Sequence, residues 1–492
     1  MRILPKYIYQ KYKHNEIDKN TTIKMLISII ENSDSQEIRK EGITFLEKFD
    51  FQEYSEVFTF LENIMLSDGD SDLKISAARV LHDNFPREAI KPFKWMIARD
   101  LDYDSTVNII DLLAHNDEQE VKDLLIEELN RIVKNKALDK FANYYCDIFQ
   151  DSISRIKEDR GINNIRSKEL ARILIQFKTM DINARKIGKI PFNLDNNSLI
   201  SSLDLKMKNL GDLREIKGLK KLTSLQTLQL SHNSLDSLPD FIGDLTTLQT
   251  LNISHNDLMY LPESFGNLTS LQTLDLGNND LKSLPESFGN LTSLQTLDLG
   301  NNDLKSLPES FGNLTSLQTL DLGNNDLKSL PESFGNLTSL KVLLLQDNQL
   351  RSLSGSFSKL SSLGFFNLES NQLMHVPKSV GALRSLQVLD LGKNRIRSLS
   401  KINKLFINLS ELKVLNLHQN KLKRLKKSLN NFPSLHTLDL HGNKIKNFSR
   451  SFRNLTSLRL LNLEENRFSE KRRLNSKSVL ERLLGNEVEI IY

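Results

Sequence analysis

The sequence predicts an α/β solenoid, with a parallel sheet lining a concave side and short helical turns on the convex side, preceded by an all-α domain. Three observations carry that expectation. The 23-residue word LPESFGNLTSLQTLDLGNNDLKS occupies Leu261 to Ser283 and recurs unchanged at Leu284 to Ser306 and at Leu307 to Ser329. The leucine frame inside it, L-x-x-L-x-L-x-x-N-x-L, runs on in both directions at the same period. The first third of the chain carries helical apolar spacing instead.

Residues 1–133 read as stacked helical hairpins. SQEIRKEGITFL (Ser35 to Leu46), DSDLKISAARVL (Asp70 to Leu81) and DYDSTVNIIDLL (Asp102 to Leu113) align at steps of 35 and 32 residues, with Leu46, Leu81 and Leu113 in register. Each opens on an acidic or hydroxyl residue able to cap a helix. Amphipathic segments such as EYSEVFTFLENIM separate them. The arrangement resembles HEAT or armadillo repeats, and a generic helical bundle fits the same spacing. Residues 134–176 read as a linker whose helices, SKELARILIQF among them, cap the array that follows.

From 177 to 468 the frame starts at Leu225, Leu248, Leu271, Leu294, Leu317, Leu340, Leu363, Leu386, Leu412, Leu435 and Leu458, stepping by 23 residues except for one step of 26. Weaker copies at Phe177 and Ile200 bring the count to thirteen units. In L-x-L alternate side chains enter the core, and x-x-N-x-L leaves the strand and returns a leucine to the same interior. No unit covers its own leucines, so neighbours must stack. Asparagines such as Asn279, Asn302 and Asn325 stand where the chain turns off the strand, and a carboxamide supplies both the donor and the acceptor missing there. Pro262 to Phe265 reads as a short helical turn stopped by Gly266, with Phe265, Phe288, Phe311 and Phe334 plugging the core. Residues 469–492 read as a cap, a helix in SKSVLERLLG and a last strand in EVEIIY.

This pattern is similar to the leucine-rich repeat of horseshoe solenoids. The L-P-x-x-F-G-N-L wording also resembles plant intracellular Ras-group-related repeats and the animal Ras-pathway scaffold built from the same unit. That resemblance implies signalling partners such as small GTPases or phosphatases. It reaches framework residues only, and the helical amino-terminal domain departs from that family's layout.

A composition of 39% hydrophobic and 26% charged residues argues against a wholly disordered chain. The first twenty residues lack the apolar run of a signal sequence and no stretch reads as a transmembrane segment, so the expected setting is cytoplasmic. The single cysteine, Cys146, makes no intrachain disulfide and is expected to be a buried, inert thiol. Ten N-x-S/T triplets then read as structural letters. Net charge is −6 over residues 1–176, −3 over 177–385 and +13 over 386–492.

Motifs for phosphate-binding loops, zinc proteases, serine hydrolases, dinucleotides and kinases are missing. Catalysis needs unlike groups converging on one point, whereas a translated repeat presents like groups at equal intervals. No catalytic residue, cofactor or metal is expected. His418 and His441 share one outward slot in successive units, near Asp439 and Glu464, and His232 and His255 repeat the arrangement; solvated polar surface is the expected role of both pairs, with a metal or pH-sensitive patch as the alternative.

The second, fourth and sixth positions after the first leucine should face outward from the strands. In the verbatim units these are threonine, aspartate and glycine, so Asp275, Asp298 and Asp321 form an acidic ladder, either spacer or avidity surface. The next units break it with Val342, Leu344, Phe365, Val388 and Val414. Clustered apolar side chains there are candidates for a partner anchor, unless a flanking loop or the helical domain covers them. Lys421, Lys423, Arg424, Lys426 and Lys427 form a basic patch without the aromatic interleaving of a nucleic-acid platform. The expected function is a non-enzymatic scaffold or adaptor that binds protein partners on the concave face. The alternatives are the recognition subunit of an enzyme complex (a ubiquitin-like ligase or phosphatase) and a binder of nucleic acid or membrane surfaces through the basic end.

Overall fold

The computed structural model describes residues 4–51, 54–99, 102–134, 148, 154, 165–399, 408–423, 425, 432–446, 455–468 and 488–491. Its contacts divide the chain into two units: Met1–Ile190 with Leu194–Ile200 and Lys217–Lys221, and Pro191–Asn193 with Ser201–Ile216 and Leu222–Tyr492.

The first unit is helical: α1 Pro5–Lys13, α2 Lys19–Asn32, α3 Gln36–Leu46, α4 Ser55–Ser67, α5 Ser71–Asn84, α6 Ile90–Arg99, α7 Tyr103–Leu113, α8 Gln119–Lys134 and α9 Ser167–Ile187. The three aligned blocks are α3, α5 and α7, and they lie side by side, with α2 against α3 and α4 against α5. Leu46, Leu81 and Leu113 are all buried. The caps follow the sequence for two of the three. The Asp70 carboxylate accepts the Asp72 and Leu73 N–H groups at 2.9 and 3.0 Å, and Asp102 accepts that of Ser105 at 3.1 Å. Ser35 makes no side-chain cap bond. Buried Glu128 on α8 is held by Arg131 at 2.8 and 2.6 Å and faces the buried Lys178 of α9 at 3.6 Å, so the two buried charges offset each other.

The frame read at Phe177 supplies no strand, because its first slots lie in a helix. Phe177 and Met180 lie buried within α9. Leu170, Ile173, Leu174 and Phe177 stand at i, i+3, i+4 and i+7, and this helical face prevails over an apolar pattern that fits the repeat slots loosely. Cys146 lies outside the described residues, as does the helix expected in SKSVLERLLG.

Among the described residues the second unit holds a 14-stranded sheet in sequential order. Its strands are β1 Phe192–Leu194, β2 Ile200–Asp204, β3 Thr227–Gln229, β4 Thr250–Asn252, β5 Thr273–Asp275, β6 Thr296–Asp298, β7 Thr319–Asp321, β8 Val342–Leu344, β9 Phe365–Asn367, β10 Val388–Asp390, β11 Val414–Asn416, β12 Thr437–Asp439, β13 Leu460–Asn462 and β14 Glu489–Ile491. From β2 to β14 each pairs parallel with the next, with like positions opposed, as Leu274↔Leu297↔Leu320. The frame at Ile200 and the eleven consensus frames each supply one strand.

Opposite the strands, Glu263–Asn267, Glu286–Asn290, Glu309–Asn313 and Glu332–Asn336 form 3₁₀ turns. Phe265, Phe288, Phe311 and Phe334 are buried and stack with ring centroids 6.3, 6.1 and 6.0 Å apart, their planes within 4°. Equivalent rings this parallel measure the displacement of one unit from the next. Since paired strands lie about 4.8 Å apart, the turn side is splayed and the stack bends with its strands inside. Phe357 extends the aromatic spine by one unit.

Gly266 has another reason than the one read from sequence. It lies within its 3₁₀ turn and not at a left-handed stop, and a Cβ there would come within 2.4 Å of the Ser287 carbonyl oxygen. Gly289 and Gly312 meet Ser310 and Ser333 in the same way. Glycine is required because neighbouring turns touch backbone to backbone. The contact is reinforced where Ser287 and Ser310 hydroxyls donate to the Glu263 and Glu286 carbonyls at 2.7 and 2.6 Å.

Candidate functional site: the outer face of the sheet

Residues at alternate positions of paired strands line up in rows, so the outward side chains form a grid whose columns are strands. One row runs Thr273, Thr296, Thr319, Val342, Phe365, Val388, Val414 across β5 to β11. The next runs Asp275, Asp298, Asp321, Leu344, Asn367, Asp390, Asn416. Register therefore places Val342, Phe365, Val388 and Val414 on four successive strands and Leu344 directly beside Asp321. All five apolar residues are half-buried: neighbours cover part of each and leave part open. Leu460 on β13 is a sixth outward apolar residue and lies in the row of Val414, separated from it by Thr437. The same alternation rule would have found it from the sequence.

The aspartates have a structural duty that the sequence reading missed. Asp275, Asp298 and Asp321 each accept the N–H of the glycine two residues on, at 3.0, 2.8 and 2.7 Å. Asn252, Asn367 and Asn416 do the same in their units. The side chain thereby satisfies an amide where the ladder ends. The signal was legible as Asp or Asn followed two residues later by a small or polar residue. Burial raises the Asp298 pKa above the free-carboxyl value of 3.8, with Asp321 and Asp275 adding to it, while the Gly300 bond opposes; burial likewise raises Asp321.

Beyond Leu344, Glu369 and Asp390 have side-chain partners. Glu369 meets Lys393 at 2.8 Å and His418 Nε2 at 3.5 Å, His418 Nδ1 lies 2.7 Å from the Asn416 carboxamide oxygen, and the Asn416 amide donates to Asp390 at 2.8 Å. Gly392 leaves the space in which the His418 ring lies. His441 instead faces Glu464 and Glu465 at 3.9 and 3.6 Å. His232 and His255 stack at 4.2 Å in the left-handed turn positions after β3 and β4. Among the described residues no group of three or more histidines, cysteines or carboxylates is placed to hold a metal ion.

Of the basic patch, Lys421 and Lys423 are exposed and follow β11, away from its outward slots. Arg424, Lys426 and Lys427 lie outside the described residues. Among the described residues no helix is long and apolar enough to cross a membrane.

Three family models match the chain: a leucine-rich repeat region over residues 177–303, leucine-rich repeats over 384–445, and a two-copy leucine-rich repeat over 292–336. No curated protein matches. Similar solved structures include a leucine-rich repeat protein of Leptospira interrogans, 27% identical over 59% of this chain and 95% of that one, TM-score 0.37. An internalin of Listeria monocytogenes is 21% identical over 64% and 93%, TM-score 0.46. The Toll–Spätzle complex of Drosophila is 27% identical over 54% and 41%, TM-score 0.46.

Proposed function

Because this is a leucine-rich repeat protein with an all-helical region ahead of the array, we propose that it is a non-enzymatic scaffold that binds a protein partner on the outer face of its sheet. The observation that carries the reading is the row Val342, Phe365, Val388 and Val414, with Leu344 beside it, half-open on four successive strands. Adjoining apolar side chains that a monomer leaves wet are where a partner gains most by excluding water. Rigidity favours the same role, since a stacked sheet presents its grid without ordering cost.

The resemblance of the repeat wording to Ras-group-related repeats makes cytoplasmic signalling proteins, small GTPases or phosphatases, the first partners to test. Affinity purification with the full chain and with Leu344→Asp/Phe365→Asp is the experiment. Partners retained by the native chain and lost by a variant with unchanged circular dichroism support the scaffold. Partners retained by both, or turnover by the purified chain alone, defeat it. Retention abolished by salt and by Lys421→Glu/Lys423→Glu would transfer the role to the basic end.

A further inference from the structure

The outward grid is not uniform along the array. On β5 to β7 it is acidic: Asp275, Asp298 and Asp321 are register partners one strand apart, and none has a cationic partner among the described residues. Gly277 and Gly300 leave this ladder open from the side, whereas at Gly323 the Gln346 side chain fills the space beside Asp321. Around a Cβ built at Gly277 the nearest atoms are carboxylate oxygens of Asp298 and Asp275, at 3.2 and 3.3 Å, so a side chain there would cover them. On β8 to β11 one row of the grid is apolar, and the acids beside it, Glu369 and Asp390, are already engaged by Lys393, His418 and Asn416. Leu344, opposite Asp321, joins the two halves without a gap.

We propose that this face takes a bipartite polypeptide segment of a partner protein, carrying lysine or arginine where it crosses β5 to β7 and apolar side chains where it crosses β8 to β11. The inference rests on the reading of the sheet as the partner surface and names the chemistry of what it holds. Charge complementarity selects the basic half: three stacked like charges repel, and a row of cations removes that repulsion while meeting oxygens not used by the backbone. Six strand intervals of about 4.8 Å set the reach of the segment at roughly 29 Å, about nine residues extended or about nineteen helical.

The test is selection of a displayed library of random 20-residue peptides on the full-length chain, with counter-selection on Leu344→Asp/Phe365→Asp. Enriched peptides should carry a basic cluster at one end and apolar residues at the other. A synthetic representative should bind Asp298→Asn/Asp321→Asn roughly tenfold more weakly than the native chain and lose the difference at high salt. Asparagine keeps the acceptor for the following N–H, as it does at Asn252 and Asn367, so these variants keep the turn. Enrichment of neutral or acidic peptides overturns the charge assignment and leaves the docking surface standing. No peptide that separates the native chain from the counter-selection variant overturns both. Concentration-dependent self-association abolished by Leu344→Asp/Phe365→Asp would give the face to a second copy and overturn the proposal as well.

Discussion

Asn325 shows how much one side chain carries in this array. Its amide donates to the Leu299 carbonyl of the preceding unit at 3.0 Å and to Leu322 of its own at 3.2 Å, while its oxygen accepts the Leu304 N–H at 3.0 Å. The asparagine therefore fastens one unit to the next as well as closing its own turn. Asn325→Ala should lower unfolding stability by about 3 kcal/mol in urea denaturation, because buried backbone groups lose their partners with no water to replace them. Asp298 differs in sign. Its pKa is raised in the folded chain, so the stability it contributes is full below about 3.8, the value of a free carboxyl, and is lost as pH rises through the raised value. Asp298→Asn should therefore be more stable at neutral pH by about 0.5 kcal/mol, and its stability should change less with pH across that window. Equal slopes for the two proteins would remove the ladder repulsion from the account.

The element that repeats is a strand, an asparagine turn and a 3₁₀ turn, and its tolerances are set by what the next copy touches. Gly289 and Gly355 make the comparison. A Cβ on Gly289 would stand 2.4 Å from the Ser310 carbonyl oxygen, whereas Gly355 has open space around it. Gly355→Ala should be neutral or stabilising by about 0.5 kcal/mol through the unfolded chain. Gly289→Ala should cost about 1–3 kcal/mol because two backbones must part. Thermal unfolding of both variants separates contact from propensity: equal shifts would show that the close approach does not matter. Phe311 lies between Phe288 and Phe334 in the stack, so Phe311→Ala should cost about 3–5 kcal/mol by opening a cavity that two flanking rings cannot collapse to fill.

For the whole molecule, the verbatim copies make a prediction that ordinary proteins do not allow. Deleting residues 284–306 joins Ser283 to Leu307 and restores the same word across the junction. Every strand pair and turn contact has an identical replacement, so the product should fold with one strand fewer and unfold cooperatively at a slightly lower midpoint. Loss of the folded circular dichroism signal would contradict stacking as the source of stability. The deletion also removes one aspartate of the ladder and leaves β8 to β11 untouched, which separates the acidic from the apolar contribution to any binding measured.

The period, the inward leucines, the asparagine turns and the parallel stack were legible in the residues themselves, because translation places every copy in the same surroundings and the pattern averages over many copies. Helices α3, α5 and α7 were legible for a related reason: their apolar spacing, and the caps of α5 and α7, act within a dozen residues. Tertiary structure alone decided the rest. Phe177 fits a repeat slot loosely and a helix face well, and its helical packing settled it. Gly266 answers to a serine carbonyl one unit away, and Asp298 both serves its own turn and repels its neighbours across strands. Those distances run between units, where a one-dimensional pattern records which residues recur and not how closely their atoms approach.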